Sequence, residues 1–154
     1  MTKVLFVCLG NICRSPAAEG ILRLRAKDRG VDIYVESAGT GDWHVGDPPD
    51  ERMIRVAGKR GVRLDHLRAR QVAFDDFYLF DYLLAMDLRN QDDLLRLAPP
   101  NRECDIRLFL DFAEGPERET PDPYFGGERG FEDVLDLIER GVDGFLDHLE
   151  NESG

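Results

Sequence analysis

The sequence predicts an α/β fold with three layers, α/β/α, around a central four-stranded parallel sheet. Three observations support this prediction: short apolar runs of strand length recur along the chain, segments with helical spacing separate them, and no segment is repeated or of low complexity. Strands that alternate with helices favour right-handed crossovers and a parallel sheet covered on both faces. The length of 154 residues suits a single domain over residues 1–154.

Four apolar runs are the predicted strands. Residues 3–7 and 31–35 resemble strands that are buried on both faces of a sheet, and residues 82–85 and 106–109 are shorter candidates. In sheets of this type, ligands bind at the carboxyl ends of the strands. Cys8 stands at that end of the first strand, so the sequence predicts a site there.

The first two helices have recognisable ends in the sequence. Ser15 is the expected N-cap of a helix that begins at Pro16 and ends at Gly30. Proline suits the first position of a helix, and glycine suits the residue that follows the last one. Asp47, followed by a proline, and Gly61 repeat this arrangement and predict a second helix between them.

Two more helices follow the third and fourth strands. One is expected to begin after Asp87 and to run to about Leu97, because Pro99 and Pro100 cannot continue it. The last has an apolar stripe at helical spacing, although Gly141 and Gly144 weaken the segment. The residues of the stripe are Phe131, Val134, Leu135, Ile138, Val142, Phe145 and Leu149.

Composition and charge restrict the class of protein. The chain is 42% hydrophobic and 33% charged, as in soluble globular proteins, and its net charge of -11 disfavours a nucleic-acid partner. No apolar run reaches the roughly 20 residues that span a bilayer, and residues 1–20 lack the features of a signal peptide. We therefore expect a cytoplasmic protein with no membrane partner. Three cysteines without an export signal indicate catalytic or redox thiol chemistry rather than structural disulfides.

Residues 8–14 form a Cys-x5-Arg motif between the first strand and the first helix. A loop that curls at this point can direct its backbone N–H groups inward, and the helix N-terminus adds a positive end, so the segment predicts a phosphate-binding loop. Gly10 and Asn11 tolerate the left-handed backbone angles that such a loop requires. The expected phosphate-binding residues are Leu9, Gly10, Asn11, Ile12, Cys13 and Ser15.

The two ends of this motif have complementary chemistry. The guanidinium of Arg14 can hold two oxygens of a phosphate and does not lose its charge. Positive groups and helix N-termini favour the thiolate form of a cysteine, and the Ser15 hydroxyl could donate to the sulfur of Cys8. The site that binds phosphate is therefore expected to activate a nucleophile beneath it.

Four segments resemble the low-molecular-weight protein tyrosine phosphatases over nearly the whole chain. They are VCLGNICRSPAAEG at the start, SAGTGDWHVGDPPD at residues 37–50, FDYLLAMD at 80–87 and DPYFGG at 122–127. The resemblance implies that protein phosphotyrosine is hydrolysed through a cysteinyl phosphate, with inorganic phosphate as product and no metal or organic cofactor. The implied partner is a phosphotyrosine-containing protein, for which a tyrosine kinase is one candidate.

The resemblance also implies roles for individual residues. Cys8 is the implied nucleophile, Arg14 the phosphate clamp and Asp122 the general acid and base, while Trp43 and Tyr124 match positions that line the pocket mouth. It further implies that Cys13 can pair with an oxidised nucleophile, so Cys13 is the expected redox partner. Asp122 lies in a proline-flanked segment that can hold a carboxylate over the pocket.

Alternative functions remain open at this point. As the resemblance has it, tyrosine-directed members carry isoleucine at the position of Ile12, while protein arginine phosphatases carry threonine and arsenate reductases small polar residues. Arsenate reduction also needs further cysteines, and Cys104 is expected to be a buried structural residue on the fourth strand. A thiol redox protein that uses Cys8 and Cys13, or a phosphate-binding module without catalysis, are less favoured alternatives.

The three histidines are expected to lie outside the site. The family often has a histidine directly before its Arg-Ala-Arg-Gln run, where it supports the asparagine of the phosphate loop. Here Leu67 takes that place and His66 precedes it, so the support is either shifted or replaced. His44 and His148 are isolated in the sequence, and no spacing among the histidines suggests a metal site.

Overall fold

A parallel sheet of four strands forms the centre of the protein in the computed structural model, which describes residues 1–123 and 127–153. The strands are β1 (Thr2–Cys8), β2 (Ile33–Gly39), β3 (Tyr82–Ala85) and β4 (Asp105–Leu108). Their order in the sheet is β2-β1-β3-β4, and all neighbouring pairs are parallel. Every connection is long enough to cross back over the sheet, as parallel pairing requires.

Strand β1 lies inside the sheet, and its burial follows from that position. Residues 4–7 have no exposed surface, because neighbouring strands cover both edges and helices cover both faces. The register pairs Cys8 with Gly39 of β2 and Val7 with Ala85 of β3. The carboxyl ends of these three strands therefore lie side by side, and Cys8 is at that edge.

Helices cover the sheet on both faces and complete three layers. They are α1 (Arg14–Arg29), α2 (Glu51–Lys59), the short α3 (Asp76–Leu79), α4 (Leu88–Leu97) and α5 (Glu128–Ser153), with a 3-10 turn at Phe109–Phe112. One apolar cluster joins alternate residues of β1 to α1, α2 and α5, and a second joins the other residues of β1 to α3 and α4. The predicted α/β/α fold is confirmed.

Two predicted helix starts are wrong for a related reason. Helix α1 begins at Arg14 and has no side-chain cap, because the Ser15 hydroxyl lies against the Cys8 sulfur instead. Helix α2 begins after Asp50, whose carboxylate accepts a hydrogen bond from the N–H of Arg52 at 2.8 Å, rather than near Asp47. In each case the side chain of the predicted cap has another contact, the sulfur of Cys8 for Ser15 and the imidazole of His44 for Asp47.

The other boundaries agree more closely with the sequence. Gly30 ends α1 with a left-handed φ of 70°, and Asp87 caps α4, which ends at Leu97 as predicted. Strand β2 begins two residues later and ends four residues later than expected, and β4 begins and ends one residue earlier. Cys104 lies directly before β4 and is half-buried, so the prediction of a buried residue on that strand is wrong. Helix α3 and the 3-10 turn were not predicted.

The apolar stripe of α5 packs as predicted, with its residues from Phe131 to Phe145 buried. Its glycines, however, have a packing role. A Cβ added at Gly141 would lie 2.4 Å from Cζ of Phe109, and one at Gly144 would lie 1.9 Å from the carbonyl oxygen of Phe112. These glycines therefore let the 3-10 turn approach the helix backbone, which explains why the weaker helical propensity is tolerated. Across residues 1–123 and 127–153, no helix combines the length and the apolar character needed to cross a membrane.

Candidate active site

The loop that follows β1 closes around the sulfur of Cys8. The backbone N–H of Asn11 donates to this sulfur at 3.2 Å, and Oγ of Ser15 lies 2.9 Å from it. Asn11 has a φ of 58°, the left-handed conformation that asparagine tolerates better than most residues. Cys8 is buried at the base of this loop. Of the two polar groups that contact its sulfur, one comes from the loop and the other from the first turn of α1.

The side chain of Asn11 orients the loop from within. Its Oδ1 accepts a hydrogen bond from the backbone N–H of Arg70 at 3.0 Å, which leaves the Nδ2 group as donor. Nδ2 donates to Oγ of Ser15 at 2.8 Å and to Oγ of Ser37 at 2.9 Å. Because Oδ1 faces an N–H group, the orientation of the amide is determined by its partners.

A buried carboxylate gives this network its direction. Oγ of Ser37 donates to Oε1 of Glu19 at 2.7 Å, since an ionised carboxylate can only accept. Ser37 therefore accepts from Asn11, and Ser15 also accepts from Asn11. The proton of the Ser15 hydroxyl is then directed at its other partner, the Cys8 sulfur. The chain from Glu19 to Cys8 thus places an O–H donor on the sulfur.

The family's histidine support for the asparagine is replaced in this chain. Asn11 is held by the backbone of Arg70 and by Ser37, and no imidazole is among these partners. His66 is exposed and lines a separate cleft beside Gly20 and Arg23 of α1. The sequence left open whether the histidine that supports Asn11 is shifted by one position or replaced, and the structure favours replacement.

Arg14 is held by two acceptors that are distant in sequence. Its Nη1 donates to Oδ2 of Asp87 at 2.8 Å and to the carbonyl oxygen of Thr120 at 2.9 Å, and the residue is 4% exposed. Burial by itself lowers the pKa of the guanidinium, but the Cys8 sulfur and the Asp87 carboxylate outweigh this effect, so the pKa of Arg14 lies above its ordinary value. Arg14 is therefore a fixed cation in the cleft of Cys8.

Asp87 caps α4, as the sequence predicted, and also holds Arg14, which the sequence did not predict. Its Oδ1 accepts the N–H of Asn90 at 2.8 Å and so caps α4, as predicted, while its Oδ2 holds Arg14. The position of Asp87 two residues after β3 brings it to the same edge of the sheet as Cys8. That placement was the available signal for its second role.

Asp122 lies across the cleft from the loop. Its Oδ2 is 3.9 Å from Nη2 of Arg14, and its side chain is 46% exposed. The segment that carries it is attached to the end of β3, because the N–H of Thr120 donates to the carbonyl oxygen of Met86 at 2.7 Å. Tyr124, the other residue expected from this segment, lies outside the described residues.

One cleft of about 220 Å³ joins these groups. Trp43 forms part of its wall and is 71% exposed, so most of its ring faces solvent. His44 also lines the cleft, which the sequence did not predict: a Cβ on Gly10 would lie 3.1 Å from Cδ2 of His44. The expectation that His44 lies outside the site is therefore wrong. The lining residues are Cys8, Leu9, Gly10, Ile12, Cys13, Arg14, Trp43, His44 and Asp122.

Cys13 shares the cleft with Cys8 but has a different environment. Burial, and then the charges of Asp50 and Cys8, raise the pKa of the Cys13 thiol well above its ordinary value. Cys13 is therefore a thiol at neutral pH, and both cysteines are free. Within the described part of the chain, no three His, Cys, Asp or Glu side chains are grouped as in a metal site.

Comparisons with known proteins agree with this geometry. The family model for low molecular weight phosphotyrosine protein phosphatase matches residues 3–154. A relative from Synechocystis sp., named as a low molecular weight protein-tyrosine-phosphatase, is 46% identical over 97% of this chain and 98% of its own length. A crystal structure of a protein tyrosine phosphatase from Entamoeba histolytica superposes with a TM-score of 0.94 at 39% identity, with all of both chains covered.

A second similar structure is named for a different activity. The crystal structure of an arginine phosphatase from Drosophila superposes with a TM-score of 0.91 at 38% identity and covers 96% of this chain and 98% of its own. The match of the family model over nearly the whole chain and the 46% identity to a relative of equal length decide the family. The chain belongs to the low molecular weight phosphotyrosine protein phosphatase family.

Proposed function

We propose that this chain hydrolyses phosphotyrosine in proteins through a cysteinyl-phosphate intermediate. The observation that carries the proposal is the position of the Cys8 sulfur, which accepts the backbone N–H of Asn11 from the loop after β1 and lies in one cleft with a guanidinium whose Nη1 is already held by Asp87 and Thr120. An anion bound above the sulfur would meet donors that need no reorganisation, which is where electrostatic catalysis is most effective.

Substrate binding uses the loop and Arg14. Since both hydrogen bonds of Arg14 within the described residues come from Nη1, we assign Nε and Nη2 to two oxygens of the phosphate. Asn11 and Ser15 also contact the Cys8 sulfur and so help to hold it as the nucleophile. The proposed phosphate-binding residues are Leu9, Gly10, Asn11, Ile12, Cys13 and Ser15.

Catalysis proceeds in two steps. The Cys8 thiolate attacks phosphorus, the bond to the ester oxygen breaks, and Asp122 gives its proton to the departing phenolate. In the second step the Asp122 carboxylate takes a proton from water, the water oxygen attacks phosphorus, and Cys8 leaves as thiolate with release of inorganic phosphate. The 3.9 Å between Asp122 and Arg14 supports this role, because it places the carboxyl group beside the proposed phosphate site.

The cleft wall favours an aromatic ester. Ile12 and Leu9 are apolar, and the exposed ring of Trp43 extends the wall towards solvent, so a phenyl ring can pack where a short phosphoserine side chain would find no contact. Tyr124, which lies outside the described residues, is the second proposed residue of the substrate pocket, on the strength of the family resemblance. The proposed partner is a phosphotyrosine-containing protein, for which a tyrosine kinase is one candidate.

Phosphoarginine hydrolysis is the second candidate, because of the likeness to the Drosophila arginine phosphatase. The guanidinium of phosphoarginine brings N–H donors that lose their water on entering the cleft. Ile12 offers them no acceptor, whereas a threonine there would. We therefore expect a higher kcat/KM for phosphotyrosine peptides than for matched phosphoarginine peptides. The Ile12→Thr variant should show a smaller ratio between these two kcat/KM values. Faster turnover of the phosphoarginine peptide by the parent protein would select the second candidate.

Release of phenol from an aryl phosphate tests the activity itself. Turnover should be blocked by vanadate and unaffected by chelators, and Cys8→Ser should bind phosphotyrosine without hydrolysing it. Arg14→Lys keeps the charge and loses the two-donor fork, so it should also lose most of the rate. Sustained turnover by Cys8→Ser would contradict the assignment of the nucleophile.

Two further proposals concern oxidation and location. When peroxide oxidises Cys8 to a sulfenic acid, the Cys13 thiolate attacks that sulfur, a disulfide forms and hydroxide leaves, and cellular thiols reverse the step. Cys104 packs with the apolar cluster on the other face of the sheet, so it is not placed to join an arsenate-reducing relay. A reducing compartment keeps free thiols reduced, which supports a cytoplasmic location.

A further inference from the structure

A second cleft, here called the basic cleft, lies between α1 and residues 61–66. It has a volume of about 250 Å³, and its charged lining residues are Arg23, Lys27 and Arg63, with His66 beside them. The rest of its lining is glycine and apolar side chains, and no carboxylate is among the lining residues. The cleft lining therefore carries positive charge in a chain whose net charge is -11.

One of these cations has no carboxylate partner among the described residues: Arg23 pairs with Glu19 at 2.6 Å and Arg63 with Asp65, whereas Lys27 has none. Arg23 and Lys27 are four residues apart on α1, a spacing at which like charges repel and destabilise a helix. Among the described residues, no carboxylate oxygen lies within 4.0 Å of Nζ of Lys27. Arg63 pairs only with the exposed Asp65, at 3.2 Å between Nη2 and Oδ2, within the part of the chain that the structure describes. An anion in the cleft would give Lys27 a partner of opposite charge and would reduce its repulsion with Arg23.

The basic cleft is also the outer end of the hydrogen-bond chain that leads to Cys8. Nη2 of Arg23 donates to Oε2 of Glu19 at 2.6 Å and to the carbonyl oxygen of Val35 at 2.9 Å. Glu19 is 6% exposed, and its other oxygen accepts from Ser37 at the start of the path described above. Arg23, with 48% of its side chain exposed, is therefore in contact both with solvent and with the network of the nucleophile.

We propose that the basic cleft is a regulatory site for a small polyanion of the diphosphate class, and that its occupation slows turnover at Cys8. An anion held by Lys27 and Arg63 competes with Glu19 for the guanidinium of Arg23. Glu19 then loses one of its two donors, and a buried carboxylate with too few donors must move. Ser37 and Asn11 lose their orientation with it, and the hydroxyl on the Cys8 sulfur is released. The coupling to turnover rests on the proposed function, whereas the binding of the anion does not.

Binding is tested by titrating ¹⁵N-labelled protein with methylenediphosphonate, whose P–C–P bridge resists hydrolysis. We expect saturable shifts of the Lys27 and Gly61 amide signals. The double variant Lys27→Gln/Arg63→Gln should bind at this site about a hundredfold more weakly, since each of the two charged hydrogen bonds that it loses contributes about a factor of ten. Arg89→Gln/Arg96→Gln, which removes two exposed charges from α4, is the matched control and should bind like the parent.

Coupling is tested by the hydrolysis of an aryl phosphate at saturating anion. The kcat of the parent and of the control should fall about fivefold, the lower end of typical coupling between sites, while the kcat of Lys27→Gln/Arg63→Gln should not change. Anion that binds at the phosphate loop competes with the substrate, so it raises KM in all three proteins and leaves kcat unchanged. This difference separates competition from the effect of the basic cleft.

Three results would overturn the inference. They are the absence of shifts at Lys27 and Gly61, equal affinity in the double variant, and an unchanged kcat when the cleft is full. The spectra do not depend on turnover, so a protein that fails to hydrolyse aryl phosphates would refute the proposed function and leave the binding test intact.

Discussion

Replacing Asp87 separates its contribution to catalysis from its contribution to stability, because its two oxygens have different partners. Oδ2 holds Nη1 of Arg14 at 2.8 Å, and Oδ1 caps α4 through the N–H of Asn90 at 2.8 Å. Asparagine is as good an N-cap as aspartate, so Asp87→Asn keeps the cap and loses the charged partner of Arg14. Asp87→Ala loses both.

The magnitudes follow from these two contacts. A hydrogen bond to a charged group contributes about 1.5 to 3 kcal/mol, which corresponds to roughly a 10- to 150-fold loss of kcat/KM if it holds Arg14 in the transition state. The loss should be similar in both variants. Loss of the cap costs about 1 kcal/mol more, so the free energy of unfolding of Asp87→Ala should be lower than that of Asp87→Asn by that amount.

Two assays read the two effects. Initial rates on an aryl phosphate give kcat/KM, and urea unfolding gives the free energy of unfolding for the parent and both variants. An Asp87→Asn protein with the kcat/KM of the parent would refute the positioning of Arg14 by Asp87. Equal unfolding free energies for the two variants would refute the capping role.

The remaining predictions concern packing, the cleft wall and oxidation. Gly144→Ala should lower the free energy of unfolding by about 3 kcal/mol, because its Cβ would meet a backbone oxygen at 1.9 Å. Gly58→Ala, whose Cβ would have no neighbour within 4 Å, should raise it by about 0.5 kcal/mol. A Gly144→Ala protein as stable as the parent would contradict the packing. Trp43→Ala should raise KM for a phosphotyrosine peptide without changing the melting temperature, since the ring is largely exposed; an unchanged KM would remove Trp43 from the substrate site. Burial, first, and then Asp50 raise the pKa of Cys13, so after peroxide treatment the rate of disulfide closure with Cys8 should rise about tenfold per pH unit below that pKa. Counting free thiols over time between pH 6 and 9 measures this rate, and a rate that does not change with pH would contradict the role of Cys13 as redox partner.

The features that the sequence predicted best are those that depend on neighbouring residues. A strand buried on both faces, followed by Gly10 and Asn11 and a helix start, is a local pattern, and it placed Cys8 at the carboxyl edge of the sheet. The ends of α1 and α4 at Gly30 and Leu97 are local as well, because glycine and proline act on the backbone of their own segment.

What the sequence could not predict depends on partners that are distant along the chain. Asp87 reaches Arg14 across 73 positions, and Arg70 reaches Asn11 across 59. The sequence offered two roles for the Ser15 hydroxyl, a helix cap and a donor to Cys8, and only the structure shows that it lies against the sulfur. A glycine such as Gly144 weakens a helix in sequence terms, and only the tertiary packing shows which backbone it admits.

Direct detection of the phosphorylated enzyme tests the central claim most closely. Asp122→Ala protein is mixed with an aryl phosphate that has a good leaving group, so the first step needs no acid and the second lacks its base. Rapid acid quench and mass spectrometry of the peptides should then find one phosphoryl group on Cys8. A peptide containing Cys8 that remains unmodified during turnover, or a phosphoryl group on another residue, would contradict the mechanism.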